Sequence, residues 1–417
     1  MKAGNWIRSY GNRRVLCLVG LGFSSGLPLA LTASTLQAWL VTEKVGLGEI
    51  GLFSLVSLPY TLKVLWSPIM DRFSPPWLGR RRGWILSLQA LLALAIFLLG
   101  RCSPVSMPFL VAFAAMLTAF LSASQDIVID AYRTDVLRES ELGPGAAAGA
   151  VGYRVSMLVS GALALILSDH MAWRTVYCVM AAVMLASICF TLMAPEPEVK
   201  VRAPKSLKEA VWGPLVSYFK RSGAVEMLFF IMIYKLGSVM AGTMTTPFLL
   251  SIGFSRTDVG MVNKFFGLFS TIVGTLVGGR IIAGIGINRS LWVFGFAQAM
   301  SNFSFAALAF VGKSFPGLIV AVGVENLFGG MGDAAFIAFF MSLCDKRFTA
   351  TQYALLTSFM AVDRVVAGAP MGAAAQFLGW PAYFSLSVLA AVPGLALLRR
   401  FAPWNGGGRA VATIGTD

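Results

Sequence analysis

Apolar runs alternate with short polar connections along almost the whole 417-residue chain. Each run is close to the length of about 20 residues that an α-helix needs to cross the hydrocarbon core of a bilayer. The runs lie at residues 15–41, 50–70, 83–99, 108–132, 146–167, 176–193, 227–250, 259–279, 290–311, 317–343, 353–378 and 382–398. This pattern predicts an all-α integral membrane protein with about twelve transmembrane helices.

The composition excludes a soluble protein. Hydrophobic residues make up 57% of the chain, charged residues 12%, and the mean hydropathy is +0.76. A soluble domain carries about 25% charged residues, so this chain lacks the polar surface that water requires. The net charge of +14 is of the kind found in nucleic-acid-binding proteins. Its basic residues, however, lie in short loops between the apolar runs, so we expect lipid and no nucleic acid as a partner.

The loop charges predict the orientation in the membrane. The side that holds the N-terminus carries 23 of the 33 Lys and Arg residues, and the opposite side carries five. Cytoplasmic loops are the ones enriched in Lys and Arg, so both termini are expected in the cytoplasm. The first run, 15–41, is too long for a signal-peptide core and is interpreted as an uncleaved helix.

A polar stretch rich in proline and basic residues separates two groups of six runs. We therefore predict an N-terminal six-helix bundle at residues 1–194, a cytoplasmic linker at 195–226, a C-terminal six-helix bundle at 227–400 and a disordered tail at 401–417. The two halves also repeat each other weakly. Arg154 answers Arg364, and Asp135 answers Asp345, each pair 210 positions apart. Parallel six-helix repeats of this kind predict a major facilitator fold with two pseudo-symmetric halves.

Residues for catalysis, metal binding or ATP hydrolysis are sparse. The five cysteines form no CxxC pair, His170 is the one histidine, and no GxxxxGK[ST] motif occurs. We therefore expect a protein that is not an enzyme, has no catalytic residues and carries no cofactor or metal.

Ionisable residues inside apolar runs point to function, because each one costs several kcal/mol unless it faces a partner or a cavity. The fourth run contains Asp126 and Asp130, whose i,i+4 spacing places both on one helical face. Two carboxylates in a segment of low dielectric compete for one proton, which suits proton uptake and release. The alternative is a structural ion pair with a basic residue such as Arg154.

The tenth run adds two acids, Glu325 and Asp333, with three glycines between them that allow close helix packing or bending of the helix. In a facilitator fold the first, fourth, seventh and tenth helices line a central cavity, so all four acids are candidates for proton coupling. The alternative for Glu325 is a carboxylate held by the backbone or by Asn326.

Lys235 lies inside the seventh run, where it either pairs with Glu325 or holds a substrate carboxylate. Neutral hydrogen-bonding groups and aromatic rings elsewhere in the runs suit a polar solute with sugar rings, although core packing is the ordinary role of a single aromatic. The candidate substrate-binding residues are Gln37, Tyr60, Lys63, Gln125, Arg154, Tyr234, Lys235, Asn263 and Asn326.

The connection "WSPIMDRFSPPWLGRRRGW" resembles the cytoplasmic loop motif of major facilitators. An acid at the end of the second helix can bond a basic group or a helix N-terminus in one state and release it in the other, which makes a two-state latch. The alternative is a plain positive-inside anchor. The candidate gating residues are Asp71, Arg72, Arg80, Arg81, Asp135, Asp345 and Arg364.

Several longer motifs, among them "GFSSGLPLALTASTLQAWL", "SASQDIVIDAYRTDVL", "YKLG", "ENLFGGMG" and "TATQYALL", together resemble the AmpG muropeptide permeases over residues 15–398. The resemblance implies proton-driven import of anhydro-muropeptides (GlcNAc-anhydroMurNAc peptides) across the bacterial inner membrane, for peptidoglycan recycling and the induction of AmpC β-lactamase. It also implies that Asp126 and Asp130 are the paired acids of the family. The chain departs from the family pattern at Ser238, Asp333 and Asp363.

Other functions fit the same inventory. A transporter of acetyl-coenzyme A or of another large polar solute is the first alternative. The phosphates of acetyl-coenzyme A, however, would need more cavity-facing cations than the sequence offers. A membrane enzyme acting on cell-wall lipids and a membrane receptor are alternatives from other classes. We expect the substrate and protons as partners, and a monomeric protein.

Overall fold

The computed structural model describes residues 10–45, 53–76, 78–197, 206–221, 223–255 and 258–405, without the side chains of residues 54, 207, 264 and 361–370. Within these ranges all regular structure is helical. The helices up to residue 197 are α1 (Arg13–Thr32), α2 (Ser34–Thr42), α3 (Leu58–Leu62), α4 (Ser67–Arg72), α5 (Arg80–Arg101), α6 (Pro108–Val136), α7 (Leu142–Met157), α8 (Ala164–Ser168), α9 (Trp173–Ala186) and α10 (Ile188–Met193). A π-helical segment, Leu158–Leu163, joins α7 to α8.

Eight helices follow after residue 205. They are α11 (Leu207–Phe219), α12 (Ala224–Tyr234), α13 (Leu236–Ser251), α14 (Gly267–Ile285), α15 (Ile287–Val311), α16 (Phe315–Leu343), α17 (Thr349–Leu378) and α18 (Trp380–Phe401). A π-helical segment, Val259–Phe266, precedes α14.

Ten stretches of the described chain are helical, long and apolar enough to cross a membrane. They match ten of the twelve predicted runs. The run predicted at 50–70 is instead broken into short 3₁₀ and α-helical pieces between Phe53 and Arg72, and it contains two prolines. The run predicted at 353–378 lies within α17, a continuous helix of 30 residues.

Local sequence signals explain where several helices begin. The side-chain oxygen of Asn12 accepts a hydrogen bond from the Arg14 N–H at 3.1 Å and caps α1. Ser314 caps α16 in the same way, because its hydroxyl accepts from the Gly317 N–H at 3.3 Å. Gly286 has a φ of +84°, a left-handed conformation that favours glycine, and it makes the sharp turn between α14 and α15.

The described residues fall into two compact units. The first unit holds the residues before position 139, together with Ala148–Pro214 and Cys344–Ser358. The second unit holds Glu139–Ala147, Leu215–Leu343 and the described residues from Phe359 onward. The predicted division into two six-helix bundles stays a prediction.

Aromatic rings and glycine contacts hold the first unit together. The rings of Trp39 and Tyr177 lie 5.1 Å apart in a large apolar core. Where α1 crosses α7, the two backbones meet directly. A Cβ atom placed on Gly152 would lie 1.9 Å from the carbonyl oxygen of Val19, and one placed on Gly22 would lie 2.1 Å from that of Gly149. Such close approach is typical of membrane helices packed through small residues.

The second unit is also held together by aromatic packing and by close helix contacts at glycines. Its core packs Phe248 against Phe384 at 4.9 Å. Between α14 and α16, a Cβ atom on Gly274 would lie 2.0 Å from the carbonyl oxygen of Leu327, and one on Gly330 would lie 2.2 Å from that of Thr271. Close packing through the tenth run, expected from its glycines, is therefore present.

The end of the last helix is tied down by hydrogen bonds. The carbonyl of Ala402 accepts from the Trp292 indole at 2.9 Å, and that of Pro403 accepts from the Asn288 amide at 3.2 Å. These residues had been predicted as part of a disordered tail, and their backbone is instead bonded to α15. Residues 406–417 of that tail lie outside the described residues.

Candidate functional site

Two lysines inside the apolar segments lie at helix interruptions. Lys63 begins a short 3₁₀ turn between α3 and α4, and Lys235 is the single residue that separates α12 from α13. Interrupted helices in transporters expose backbone groups and commonly line the ligand path. Both lysines are buried and each contacts an aspartate, so the interruptions mark one charged centre in each unit.

In the first unit, α1 presents a pair of serines to the acidic end of α6. The Ser25 hydroxyl donates a hydrogen bond to the Asp126 carboxylate. The neighbouring Gln125 is fully buried and donates from its amide nitrogen to the Ser24 hydroxyl at 3.2 Å. The described partner of Asp126 is thus a hydroxyl group, and not the Arg154 side chain that the sequence offered as an alternative. A hydroxyl can donate to a carboxylate or accept from a carboxylic acid, so the contact suits either protonation state.

One turn further along α6, Asp130 lies among cations. Its carboxylate is 2.6 Å from the Arg133 guanidinium and 3.9 Å from the Lys63 ammonium. Arg133 also donates to the Tyr353 hydroxyl at 2.7 Å. The two acids that the i,i+4 spacing places on one face therefore have different surroundings. Asp126 is held by a hydroxyl and Asp130 by charges.

The amide oxygen of Gln125, near this acidic face, is buried and has no hydrogen-bond partner among the described residues. A buried polar group of this kind costs about 1–3 kcal/mol unless something satisfies it. The hydroxyl of Tyr60 is buried beside those of Ser122 and Thr32, with which it can exchange hydrogen bonds. Hydroxyl and amide groups gathered in one region can bind the polar groups of a solute.

The predicted gating residues gather around a buried arginine. The Arg81 guanidinium, only 2% exposed, lies 2.9 Å from the Asp71 carboxylate and 2.9 Å from the Asp135 carboxylate. Arg80 makes a further ion pair with Asp71 at 3.0 Å. Two arginines of the loop motif thus form a network with its acid, Asp71, and with Asp135 near the end of α6, in which each cation faces an anion.

The same network holds the beginning of α17. One oxygen of Asp71 accepts hydrogen bonds from the backbone N–H and the hydroxyl of Thr351, at 2.8 and 2.7 Å. Arg81 donates to the Thr349 hydroxyl at 2.6 Å. A carboxylate at a helix N-terminus is favoured by the unpaired N–H groups and by the helix dipole. Asp71 therefore bonds both kinds of partner that the latch hypothesis allowed, a basic group and a helix N-terminus.

The other predicted gating residues lie at the edge of this network, since Arg80 also donates to the Arg347 carbonyl at 3.5 Å. Arg72 stacks over the Phe73 ring at 5.5 Å, and Asp345 pairs with the exposed Arg347 at 2.7 Å. The side chain of Arg364 lies outside the described residues, so its predicted correspondence with Arg154 stays a prediction.

In the second unit, Lys235 pairs with an acid of α16. Its ammonium lies 2.7 Å from the Asp333 carboxylate and 3.3 Å from the Gln298 amide oxygen. The sequence had offered Glu325 as the ion-pair partner, which is wrong. Glu325 is half-buried two helical turns before Asp333 on the same helix.

The remaining substrate-binding candidates have varied surroundings. The Tyr234 hydroxyl donates to the Leu291 carbonyl at 2.8 Å, and its ring stacks on Phe336. Asn326 accepts a hydrogen bond from Thr271 at 2.9 Å. The Tyr234 hydroxyl and the Asn326 amide therefore form hydrogen bonds within the protein, and their predicted contact with substrate stays a prediction.

Asn263, Gln37 and Arg154 are more accessible. The Asn263 amide donates to Thr246 at 3.4 Å, Gln37 is exposed on α2, and Arg154 is half-buried on α7. Their predicted contact with substrate stays a prediction.

Sequence reasoning missed six residues that contact the charged groups: Ser25, Arg133, Gln298, Thr349, Thr351 and Tyr353. Arg133 lies near the end of its apolar run, where a basic residue is ordinarily a positive-inside anchor. Gln298 carried a signal, because a buried amide in an apolar run needs a partner. Among the described residues, no group of three or more His, Cys, Asp or Glu side chains is placed to hold a metal ion.

Comparison with known proteins identifies the family. A model of the Major Facilitator Superfamily matches residues 18–367. The anhydromuropeptide permease of Escherichia coli (strain K12) is 47% identical over 398 residues, which cover 95% of this chain and 81% of that protein. An uncharacterized protein of Haemophilus influenzae is 37% identical over 94% of this chain and 95% of its own length. The putative transporter AmpG 4 of Rickettsia conorii is 32% identical over 91% and 94%.

Solved structures share the fold. The human organic anion transporter MFSD10 (TETRAN) superposes with a TM-score of 0.66 at 15% identity, covering 93% of this chain and 99% of that one. A bacterial homologue of the iron transporter ferroportin gives 0.64 at 15% identity, covering 93% and 97%. Both comparisons confirm the predicted facilitator fold, and the sequence relatives confirm the resemblance. The chain is a multi-pass membrane transporter that belongs to the Major Facilitator Superfamily and, within it, to the AmpG family of permeases.

Proposed function

We propose that this chain imports anhydro-muropeptides across the bacterial inner membrane together with protons. The observation that carries the proposal is the 47% identity to an anhydromuropeptide permease over 95% of the chain. The imported solute would enter peptidoglycan recycling and, through it, the induction of AmpC β-lactamase. The chain performs no catalysis in this scheme and needs no cofactor.

Each unit carries polar groups that match part of the chemistry of such a solute. A disaccharide offers hydroxyls and acetamido groups, and the attached peptide offers carboxylates. The hydroxyls of Tyr60 and Ser122 and the Gln125 amide suit the sugar, while Lys63 and Lys235 suit carboxylates.

Asp126 is our candidate for the coupling proton. A carboxyl group that exchanges a hydrogen bond with Ser25 can hold a proton or lose it without losing its partner. Asp130 is a weaker candidate, because its carboxylate already forms an ion pair with Arg133 at 2.6 Å. Glu325 and Asp333 are the candidates in the second unit.

The Asp71–Arg81–Asp135 network acts as a latch in this proposal. It binds the first turn of α17 through Thr349 and Thr351, and breaking those hydrogen bonds would release that helix end. The network belongs to the side rich in Lys and Arg, so we place it, the linker and both termini in the cytoplasm. A reporter fused after Ser206 should then behave as cytoplasmic and one fused at Lys313 as periplasmic, and the reverse pattern would overturn this topology.

The proposed activity is tested with the purified full chain in liposomes. Radiolabelled GlcNAc-anhydroMurNAc-peptide should accumulate inside when the exterior is more acidic, and a protonophore should abolish the accumulation. Unlabelled acetyl-coenzyme A should not compete. Accumulation that ignores the pH gradient would refute proton coupling, and competition by acetyl-coenzyme A without muropeptide uptake would favour the alternative substrate.

A further inference from the structure

Lys235 lies in a site that is shaped around its ammonium group. The residue connects α12 and α13, and its Nζ atom lies 2.7 Å from the Asp333 carboxylate and 3.3 Å from the Gln298 amide oxygen. The Gln298 side chain is itself buried on α15. The ammonium is thus surrounded by oxygen acceptors contributed by two other helices.

Gly332 makes room for this arrangement. A Cβ atom at that position would lie 2.6 Å from the Gln298 amide oxygen and 3.4 Å from the Lys235 Nζ atom. Contacts below 3.0 Å require something to shift, so an alanine would require the Gln298 amide to move from its present position beside the ammonium. The backbone of α16 is therefore fitted to the Lys235–Gln298 contact.

The two members of the ion pair differ in accessibility. The Lys235 side chain is 10% exposed, whereas the Asp333 side chain is 39% exposed. A buried cation that loses its partner is strongly destabilising, so Lys235 should not be left without a carboxylate. It can, however, exchange one carboxylate for another, and the more accessible Asp333 is the group that would move aside.

We propose that Lys235, Gln298 and Gly332 form a carboxylate-binding site, that Asp333 occupies it as a resident anion, and that a substrate carboxylate binds by replacing Asp333 on Lys235. The exchange keeps the buried ammonium paired throughout. It also selects for anionic solutes, because a neutral solute cannot displace Asp333. The inference rests on the proposed function in so far as the peptide of an anhydro-muropeptide supplies the carboxylate.

The test uses the full chain in detergent and two pairs of ligands. One pair is the anhydro-muropeptide and the same compound with its carboxylates converted to amides. The other pair is N-acetyl-D-alanine and N-acetyl-D-alaninamide, small probes that differ in charge and little in shape. The variants are Asp333→Asn, Lys235→Gln, the double variant and Lys235→Arg with Asp333→Asn. Glu226→Gln, which breaks the exposed pair with Arg400, is the matched control for the loss of an ion pair.

Asp333→Asn removes the competing anion and keeps a side chain of the same size. We expect it to tighten the dissociation constant of the anionic muropeptide by about fivefold to tenfold and to change that of the amidated compound by less than about twofold. N-acetyl-D-alanine should raise the melting temperature of Asp333→Asn more than its amide does. The tighter binding and the selective rise in melting temperature should both vanish when Asp333→Asn is combined with Lys235→Gln. Both should persist when it is combined with Lys235→Arg, and neither should occur in Glu226→Gln.

Weaker or equal binding of both muropeptides by Asp333→Asn would overturn the inference, as would a preference for anions that survives in the Lys235→Gln double variant. If no muropeptide binds the unmodified chain, N-acetyl-D-alanine and its amide still test whether the carboxylate site exists. Selective stabilisation of Asp333→Asn by N-acetyl-D-alanine would then support the site while refuting the proposed substrate. Equal stabilisation by the acid and the amide would refute the site.

Discussion

The buried charges of the two units are organised differently. In the first unit, Arg81 is shared between Asp71 and Asp135, and Asp71 also bonds Arg80 and the first turn of α17. In the second unit, Lys235 meets a single carboxylate, that of Asp333, and a neutral amide. The first arrangement is a network, and the second is a pair whose acid is accessible.

The lysine of the first unit extends this contrast. Lys63 lies 3.9 Å from Asp130, which Arg133 already pairs at 2.6 Å. Asp130 therefore keeps a cation if Lys63 turns to a ligand. Lys235 contacts the Asp333 carboxylate directly, at 2.7 Å, and has to leave it before it can bind a ligand. A network of charges suits a latch, whose hydrogen bonds form and break together. A separate ion pair suits a binding site, where one carboxylate can replace another.

Arg81→Gln should have the largest effect, because it leaves two buried carboxylates without their shared cation. Breaking a buried ion pair costs about 3–5 kcal/mol, so we expect a large fall in the melting temperature and loss of most transport. Thermal unfolding in detergent and uptake in liposomes measure the two effects. Arg82→Gln is the matched control, because its ion pair with Glu196 is long, at 3.8 Å, and more exposed. Equal effects of the two changes would contradict the role of the network.

Lys235→Gln and Lys63→Gln should lower stability by less than Arg81→Gln does, and by different amounts from each other. A hydrogen bond to a charged group contributes about 1.5–3 kcal/mol, so loss of the 2.7 Å contact of Lys235 should lower stability by more than loss of the 3.9 Å contact of Lys63. Both variants should raise the KM for muropeptides with free carboxylates. Analogues with amidated carboxylates provide the comparison, and an equal rise in KM for them would indicate a structural role.

Glu226→Gln should have the smallest effect. Its carboxylate lies 2.6 Å from Arg400, but both side chains are about half exposed. An exposed ion pair contributes about 0–1 kcal/mol even at good distance, because water and salt screen it. The melting temperature and the uptake rate should therefore stay close to those of the unmodified chain. A loss comparable to that of Lys235→Gln would show that burial is not what distinguishes the pairs.

The fold was largely predictable from the sequence, because run length and loop charge follow directly from the bilayer. The pairing of Asp71 with Arg80 and Arg81 was also predictable, since the three residues lie within a stretch of eleven, whereas the contact of Arg81 with Asp135 joins residues 54 positions apart. The break in the second run carried a signal in Pro59 and Pro68, which the hydropathy pattern concealed.

Contacts between distant helices were not predictable. Ser25 and Asp126 are 101 positions apart, and Arg133 and Tyr353 are 220 apart. The partner of Lys235 shows the reason. Glu325 and Asp333 are both acids of α16 about 12 Å apart along its axis, and only the register of packed helices selects between them.

The measurement that tests the account most directly is proton movement accompanying substrate entry in Asp126→Asn. Asparagine has nearly the same size and much of the hydrogen bonding, but it cannot titrate. In liposomes, exchange of labelled for unlabelled anhydro-muropeptide should persist, whereas gradient-driven accumulation and substrate-linked uptake of protons, followed with an internal pH dye, should be lost. Asp169→Asn, an exposed loop acid, should keep both activities. If Asp126→Asn still accumulates substrate together with protons, Asp126 is not the coupling site, and the central claim of this account is wrong.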